Sequence, residues 1–127
     1  MSEAKVLVVD DEEVIRDVCS QILEAEGYSV TTATSGKEAL SAVSENSLDI
    51  IVTDIMMPDM SGLELLEVIK STNLDVCTVV ITGLGTFDMA TQSDRLGARE
   101  FVVKPFTPDE LSEAVRKALA KRTSVIG

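Results

Sequence analysis

Histidine and tryptophan are both absent from this 127-residue chain. Without histidine there can be no Ser-His-Asp triad, no Cys-His pair and no His-ligated zinc, so any chemistry must rest on carboxylates, hydroxyls, lysine and backbone amides. Aromatic residues make up only 3% of the chain, with a single tyrosine, which argues against the stacking platform that a flavin wants. The two cysteines, Cys19 and Cys77, are too few and too isolated for a metal cluster, and they read as reduced, partly buried thiols with no chemistry. Basic residues are outnumbered by acidic ones, 11 to 22, for a formal charge of −11. A surface that negative repels phosphate backbones and argues against direct nucleic-acid binding. Apolar runs extend only a few residues, far short of the roughly 20 that span a bilayer. The opening Met1-Ser2-Glu3-Ala4-Lys5 has neither the basic start nor the apolar stretch of a signal peptide. No membrane association and a cytoplasmic location are the expectations.

With 45% hydrophobic and 26% charged residues, the chain has the balance of an ordinary globular protein. At this length one domain can bury roughly two-thirds of its unfolded surface without disulfides or a structural metal. Short apolar strands alternate with amphipathic helices. Val6-Leu7-Val8-Val9, Ile50-Ile51-Val52, Val79-Val80-Ile81 and Phe101-Val102-Val103 read as strands, the first three buried on both faces. The more polar stretch from Tyr28 to Ala33 reads as an edge strand anchored by Val30. Between the strands, Val14, Ile15, Val18, Cys19, Ile22 and Leu23 recur at helical spacing before Gly27. Ser35-Gly36-Lys37-Glu38 and Ser61-Gly62-Leu63-Glu64 are capping boxes, and Thr107-Pro108-Asp109-Glu110 adds proline at the first helical position. The segment from Thr86 to Leu96, with Phe87, Met89, Ala90 and Leu96 as its apolar residues, predicts a helix of low intrinsic stability. Lys117, Lys121 and Arg122 lie near the negative end of the final helix. About five βα units with such apolar strands call for a single α/β domain, a parallel sheet with helices on both faces. Residues 1–122 form this expected domain, and residues 123–127 read as a frayed end or the start of a linker.

In an open parallel sheet, ligands bind beyond the carboxyl ends of the strands. Asp10 and Asp11 follow the first strand, Asp54 the third, Thr82 the fourth and Lys104 the fifth. Each alone has an ordinary reading, since an acid after a strand is often a helix cap and a lysine is usually solvated. Together they place three carboxylates, a hydroxyl and an ammonium on one rim. Ionised carboxylates so grouped repel one another unless a cation holds them, and Mg²⁺ suits one or two carboxylates plus water and phosphoryl oxygens. Asp54, in the middle, is placed to be a carboxylate nucleophile that accepts phosphate. Other motifs fail. Gly83-Leu84-Gly85 has Asp88 where a dinucleotide fingerprint needs its third glycine, and no Gly-Lys-Ser/Thr phosphate loop is present.

These residues resemble the receiver domain of two-component response regulators, from Val6 to about Lys121. The resemblance is carried by Val8-Val9-Asp10-Asp11-Glu12, by Asp54 with Met57-Pro58-Asp59-Met60-Ser61-Gly62, by Ile81-Thr82-Gly83, by Gly97-Ala98 and by Lys104-Pro105-Phe106. It implies a doubly wound (βα)5 flavodoxin-like fold with a five-stranded parallel sheet of order 2-1-3-4-5. It also implies that Asp54 takes a phosphoryl group from a phosphohistidine on a partner sensor histidine kinase or phosphotransfer protein, because this chain has no histidine of its own. Asp10, Asp11, Asp54 and the backbone carbonyl of Met56 are the implied Mg²⁺ ligands. Thr82 and Phe101 are the implied switch residues, Lys104 the implied phosphate partner, and Lys104-Pro105 an implied cis bond. The implied output face is the fourth helix, fifth strand and fifth helix, with phosphorylation-dependent homodimerisation and an effector domain elsewhere both compatible with it. Phe101 stands where tyrosine is also common, so its ring acts by packing alone. Met56 is apolar where other members place an amide or acid, which implies a shielded, long-lived phosphoform. On this reading the domain catalyses only its own phosphorylation and dephosphorylation. Two alternatives stay open: a Mg²⁺-dependent aspartyl-phosphate phosphohydrolase, and a non-phosphorylated pseudo-receiver that acts as an interaction module.

Overall fold

The computed structural model describes residues 4–45, 47–72, 76–83 and 87–124. The Leu84-Gly85 stretch, Thr86 and residues 125–127 lie outside the described residues, as do the side chains of Phe87, Lys121 and Arg122. Five strands and five helices alternate: β1 (Lys5–Val9), α1 (Glu13–Ala25), β2 (Ser29–Ala33), α2 (Gly36–Glu45), β3 (Ile50–Asp54), α3 (Gly62–Ser71), β4 (Cys77–Thr82), α4 (Phe87–Arg95), β5 (Glu100–Val103) and α5 (Pro108–Ser124). The strands form one sheet in the order β2-β1-β3-β4-β5, and every neighbouring pair is parallel. This is the doubly wound α/β fold and strand order that the sequence implied. Among the described residues no helix is long and apolar enough to cross a membrane.

The central strands are apolar on both faces because each face is covered. Successive side chains point to opposite sides of a strand. Val6, Val8, Ile50, Val52, Val79 and Ile81 accordingly meet Cys19 and Leu23 of α1 and Leu111, Val115 and Ala118 of α5. Their alternates Leu7, Val9 and Ile51 meet Ala39 of α2 and Leu65 and Ile69 of α3. Val80 joins Ile55, Leu66 and Ala98 in a third cluster, against which Met89, Leu96 and Phe101 pack. β2 is mostly exposed, as an edge strand. Gly27 and Gly97 follow α1 and α4 at φ +94° and +95°, the left-handed turn that favours glycine at a helix end.

Three local expectations need correction. Val14 and Val18 belong to the apolar repeat of α1, yet they are 70% and 40% exposed. The sheet can cover only one stripe of a helix, and Ile15, Cys19, Ile22 and Leu23 occupy it. At α2, Ser35 Oγ accepts the Glu38 N–H at 3.2 Å, but the Glu38 carboxylate turns to the Thr34 N–H and hydroxyl, so the expected reciprocal box is half formed. The boxes at Ser61/Glu64 and Thr107/Glu110 are complete. β4 begins at Cys77, two residues before the expected Val79-Val80-Ile81 run.

The weakly apolar α4 carries one anomaly. Ser93 is fully buried, and its hydroxyl is the buried side-chain group left without a hydrogen-bond partner among the described residues. An unsatisfied buried hydroxyl costs about 1–3 kcal/mol, and alanine is also the better helix former. Ser93→Ala is therefore expected to raise unfolding stability by about 1–2 kcal/mol in urea titration. No gain would show that the hydroxyl is satisfied in solution.

Candidate functional site

The parallel register sets the carboxyl ends of β1, β3, β4 and β5 side by side, with Val9 opposite Thr53, Asp54 opposite Ile81 and Thr82 opposite Val103. Asp10 follows β1, Asp54 and Thr82 end β3 and β4, and Lys104 follows β5. Asp10, Asp54 and Thr82 are all buried. Lys104 reaches over the acids: its Nζ lies 3.1 Å from Asp10 Oδ2, 3.1 Å from Asp54 Oδ2 and 3.4 Å from Glu12 Oε1. Its own N–H donates to the Thr82 carbonyl at 2.8 Å, and the Lys104-Pro105 bond is cis.

Each carboxylate is further oriented by backbone. Asp10 Oδ1 accepts the Glu12 N–H at 2.9 Å, while Arg16 donates to the Asp10 carbonyl at 2.8 Å. Asp54 Oδ1 accepts the Met56 N–H at 3.3 Å. Burial raises Asp10 above its ordinary value, although the Glu12 N–H and the Lys104 ammonium oppose the shift. Burial alone would lower Lys104, but its hydrogen bonds to Asp10 and Asp54, and their charges, outweigh this and raise it. Lys104 thus stays a cation. Burial, with the Asp10 charge adding to it, pushes the Cys19 thiol up to about 12, so the thiol beside the site is protonated and inert.

Asp10, Glu12 and Asp54 each offer a carboxylate oxygen within 4.8 Å of the others. Such a set of oxygen donors fits a hard divalent cation. Asp11, which the sequence placed among the ligands, is exposed and stands outside this group. Glu12, the last residue of the Asp10-Asp11-Glu12 motif, takes a place in the group instead. Its signal was local: it is the N-cap of α1, in extended backbone, and its side chain makes no cap hydrogen bond, which leaves the carboxylate available to Lys104. Met56, two residues after Asp54, is 60% exposed. Phe101 is half-buried against the cluster of Ile55, Leu66, Val80 and Ala98, in register with Val80.

Comparison with known proteins gives one consistent result. The family described as "Response regulator receiver domain" matches residues 6–116. The response regulator SaeR of Staphylococcus aureus (strain USA300) is 42% identical over 115 residues, which are 91% of this chain and 50% of that protein. The chain thus spans about half the length of the curated relatives it matches. Among solved structures, a receiver domain protein (CheY-like) from Methanospirillum hungatei aligns with a TM-score of 0.91 and 31% identity over 98% of this chain and 99% of that one. The beryllofluoride-activated NtrC4 receiver domain dimer aligns with a TM-score of 0.88 and 39% identity over 93% and 98% of the two chains. The family match, strand order, rim residues and relatives agree: this chain belongs to the response regulator receiver domains of two-component signalling.

Proposed function

We propose that this domain accepts a phosphoryl group on Asp54, from a phosphohistidine of a partner sensor kinase or phosphotransfer protein, in a Mg²⁺-dependent reaction. The observation that carries this is the buried Asp54 carboxylate, 3.1 Å from the Lys104 ammonium and grouped with Asp10 and Glu12 at the sheet's carboxyl edge. An Asp54 carboxylate oxygen attacks phosphorus, the P–N bond of the donor breaks, and the imidazole leaves with the electron pair and takes a proton. The product is an acyl phosphate on the aspartate. Mg²⁺ held by Asp10, Asp54, the Met56 carbonyl and a further carboxylate, Asp11 or Glu12, would neutralise charge on the transferring group. Lys104, already paired with Asp54, follows the new negative charge as its counter-ion. The Thr82 hydroxyl donates to a phosphoryl oxygen, and the half-buried Phe101 ring carries the change to the face formed by α4, β5 and α5.

The direct test is intact mass after incubation with acetyl phosphate and Mg²⁺. The parent is expected to gain one phosphoryl adduct and Asp54→Ala none. An adduct that survives in the variant, or none on the parent, overturns the assignment. Turnover of generic phosphate esters would instead favour the hydrolase. Met56 bears on lifetime: its exposed thioether offers no group to position an attacking water. Met56→Glu is expected to speed loss of the adduct about tenfold, and an unchanged decay would discard the shielding role.

A further inference from the structure

The loop between β3 and α3, residues 55–61, carries Met56 and is tied down at both ends. The Gly62 N–H donates to the Ile55 carbonyl at 2.8 Å, and Ser61 and Glu64 close a capping box on α3. Its middle is tied elsewhere. Asp59 reaches to α2, where Oδ1 accepts the Gly36 N–H at 3.1 Å and Oδ2 accepts the Lys37 N–H at 3.0 Å. One carboxylate therefore satisfies two of the free amides at a helix start, from 23 residues away in sequence. The cap matters to α2 because Ser35 serves only the Glu38 N–H.

A second contact joins the same two segments. Met60 lies so close to Gly36 that a Cβ there would sit 2.8 Å from the Met60 Sδ and 2.9 Å from its Cβ. Met57 and Met60 also pack on the cluster that holds Ala39 of α2 and Leu65 of α3. The middle of the loop is thus fixed to α2 by a bidentate cap and by close packing.

We propose that Asp59 is a positioning residue for the acceptor site: by capping α2 from the loop, it holds the backbone at Met56 in the path that lets its carbonyl serve the divalent cation. The inference rests on the Mg²⁺-dependent reading above. Asp59 itself touches neither the phosphoryl group nor the cation. It acts through the loop.

The test titrates Mg²⁺ alone, without a phosphodonor, into the parent, Asp59→Asn, Asp59→Ala and Gly36→Ala, with hydrogen exchange followed at the Gly36 and Lys37 amides. Asp59→Asn and Asp59→Ala both remove the charge, but only alanine removes both acceptor oxygens. Expected losses of Mg²⁺ affinity are about tenfold for Asp59→Ala and about threefold for Asp59→Asn, with amide exchange accelerated in the same order. Gly36→Ala keeps every charge and displaces Met60, and it should also weaken Mg²⁺ about threefold. If Asp59→Ala does not fold, the other two variants still decide. Equal losses in Asp59→Asn and Asp59→Ala would assign the effect to charge and overturn the proposal. Faster amide exchange with unchanged Mg²⁺ affinity would reduce Asp59 to a helix cap. A parent that binds no Mg²⁺ would overturn the functional reading and this inference together, a pattern distinct from either.

Discussion

Gly62→Ala is expected to lower unfolding stability by about 3 kcal/mol or more, even though alanine is normally the better helix former by about 1 kcal/mol. A Cβ at position 62 would lie 2.2 Å from the Asp54 carbonyl oxygen and 2.9 Å from the Ile55 Cα. Neither atom can step aside. The Asp54 carbonyl accepts the Thr53 hydroxyl, β3 is fully buried, and Asp54 is in register with Ile81 of β4. Relief must come from moving either α3 or Asp54, the proposed acceptor, so phosphorylation by acetyl phosphate should slow along with the loss of stability. Urea unfolding gives the first quantity and intact mass over time the second. A stability change under about 1 kcal/mol would mean that the α3 start is softer than this close approach implies. Gly36→Ala is the milder comparison, because its nearest contact, 2.8 Å, is the mobile Met60 Sδ and no backbone atom comes as close, although the Met60 Cβ at 2.9 Å must also shift.

Lys104→Met should produce a second large effect, a loss of about 3–5 kcal/mol at neutral pH. It leaves the buried acids Asp10 and Asp54 without their cation. The pH dependence follows from the sign of the shifts. Asp10 is raised by burial, and the Lys104 hydrogen bond and charge are among the influences that lower it, so their removal raises it further. An acid whose folded pKa lies above its unfolded value of about 3.9 penalises folding once it is ionised, and the penalty fades as pH falls through the folded value. The gap between parent and variant should therefore be widest near neutrality and shrink in the acid range. Lys104 itself is raised, so its stabilisation is complete below the unfolded lysine value of about 10.4 and is lost as pH climbs through the folded one. The parent should lose stability there and the variant should not. Saturating Mg²⁺ should return part of the lost stability by mass action. A variant as stable as the parent across this range would show that the acids carry no shared charge burden.

Much of this is readable in the sequence because the signals are local. Helix assignments came from a period of 3.6 and strand assignments from short continuous apolar runs, and runs such as Ile50-Ile51-Val52 showed that both sheet faces are covered. Strand ends alone sent Asp10, Asp54, Thr82 and Lys104 to one rim, since a parallel sheet brings all its carboxyl ends together. The missing histidine already placed the proposed phosphoryl donor outside these 127 residues.

Tertiary structure decided what depends on direction and distance across the chain. Three acids in a row, Asp10, Asp11 and Glu12, look alike in sequence. The turn from β1 into α1 brings the carboxylates of Asp10 and Glu12 toward Asp54 and leaves Asp11 exposed. Val14 and Val18 share the helical repeat of α1, but the width of the sheet decides which stripe is covered, and they fall outside it. Asp59 stands in a loop motif, and only the folded chain sets it on the amides of α2. Neighbouring residues encode periodicity and caps. Which groups meet across 23 or 50 positions depends on strand register and helix packing, which no local pattern carries.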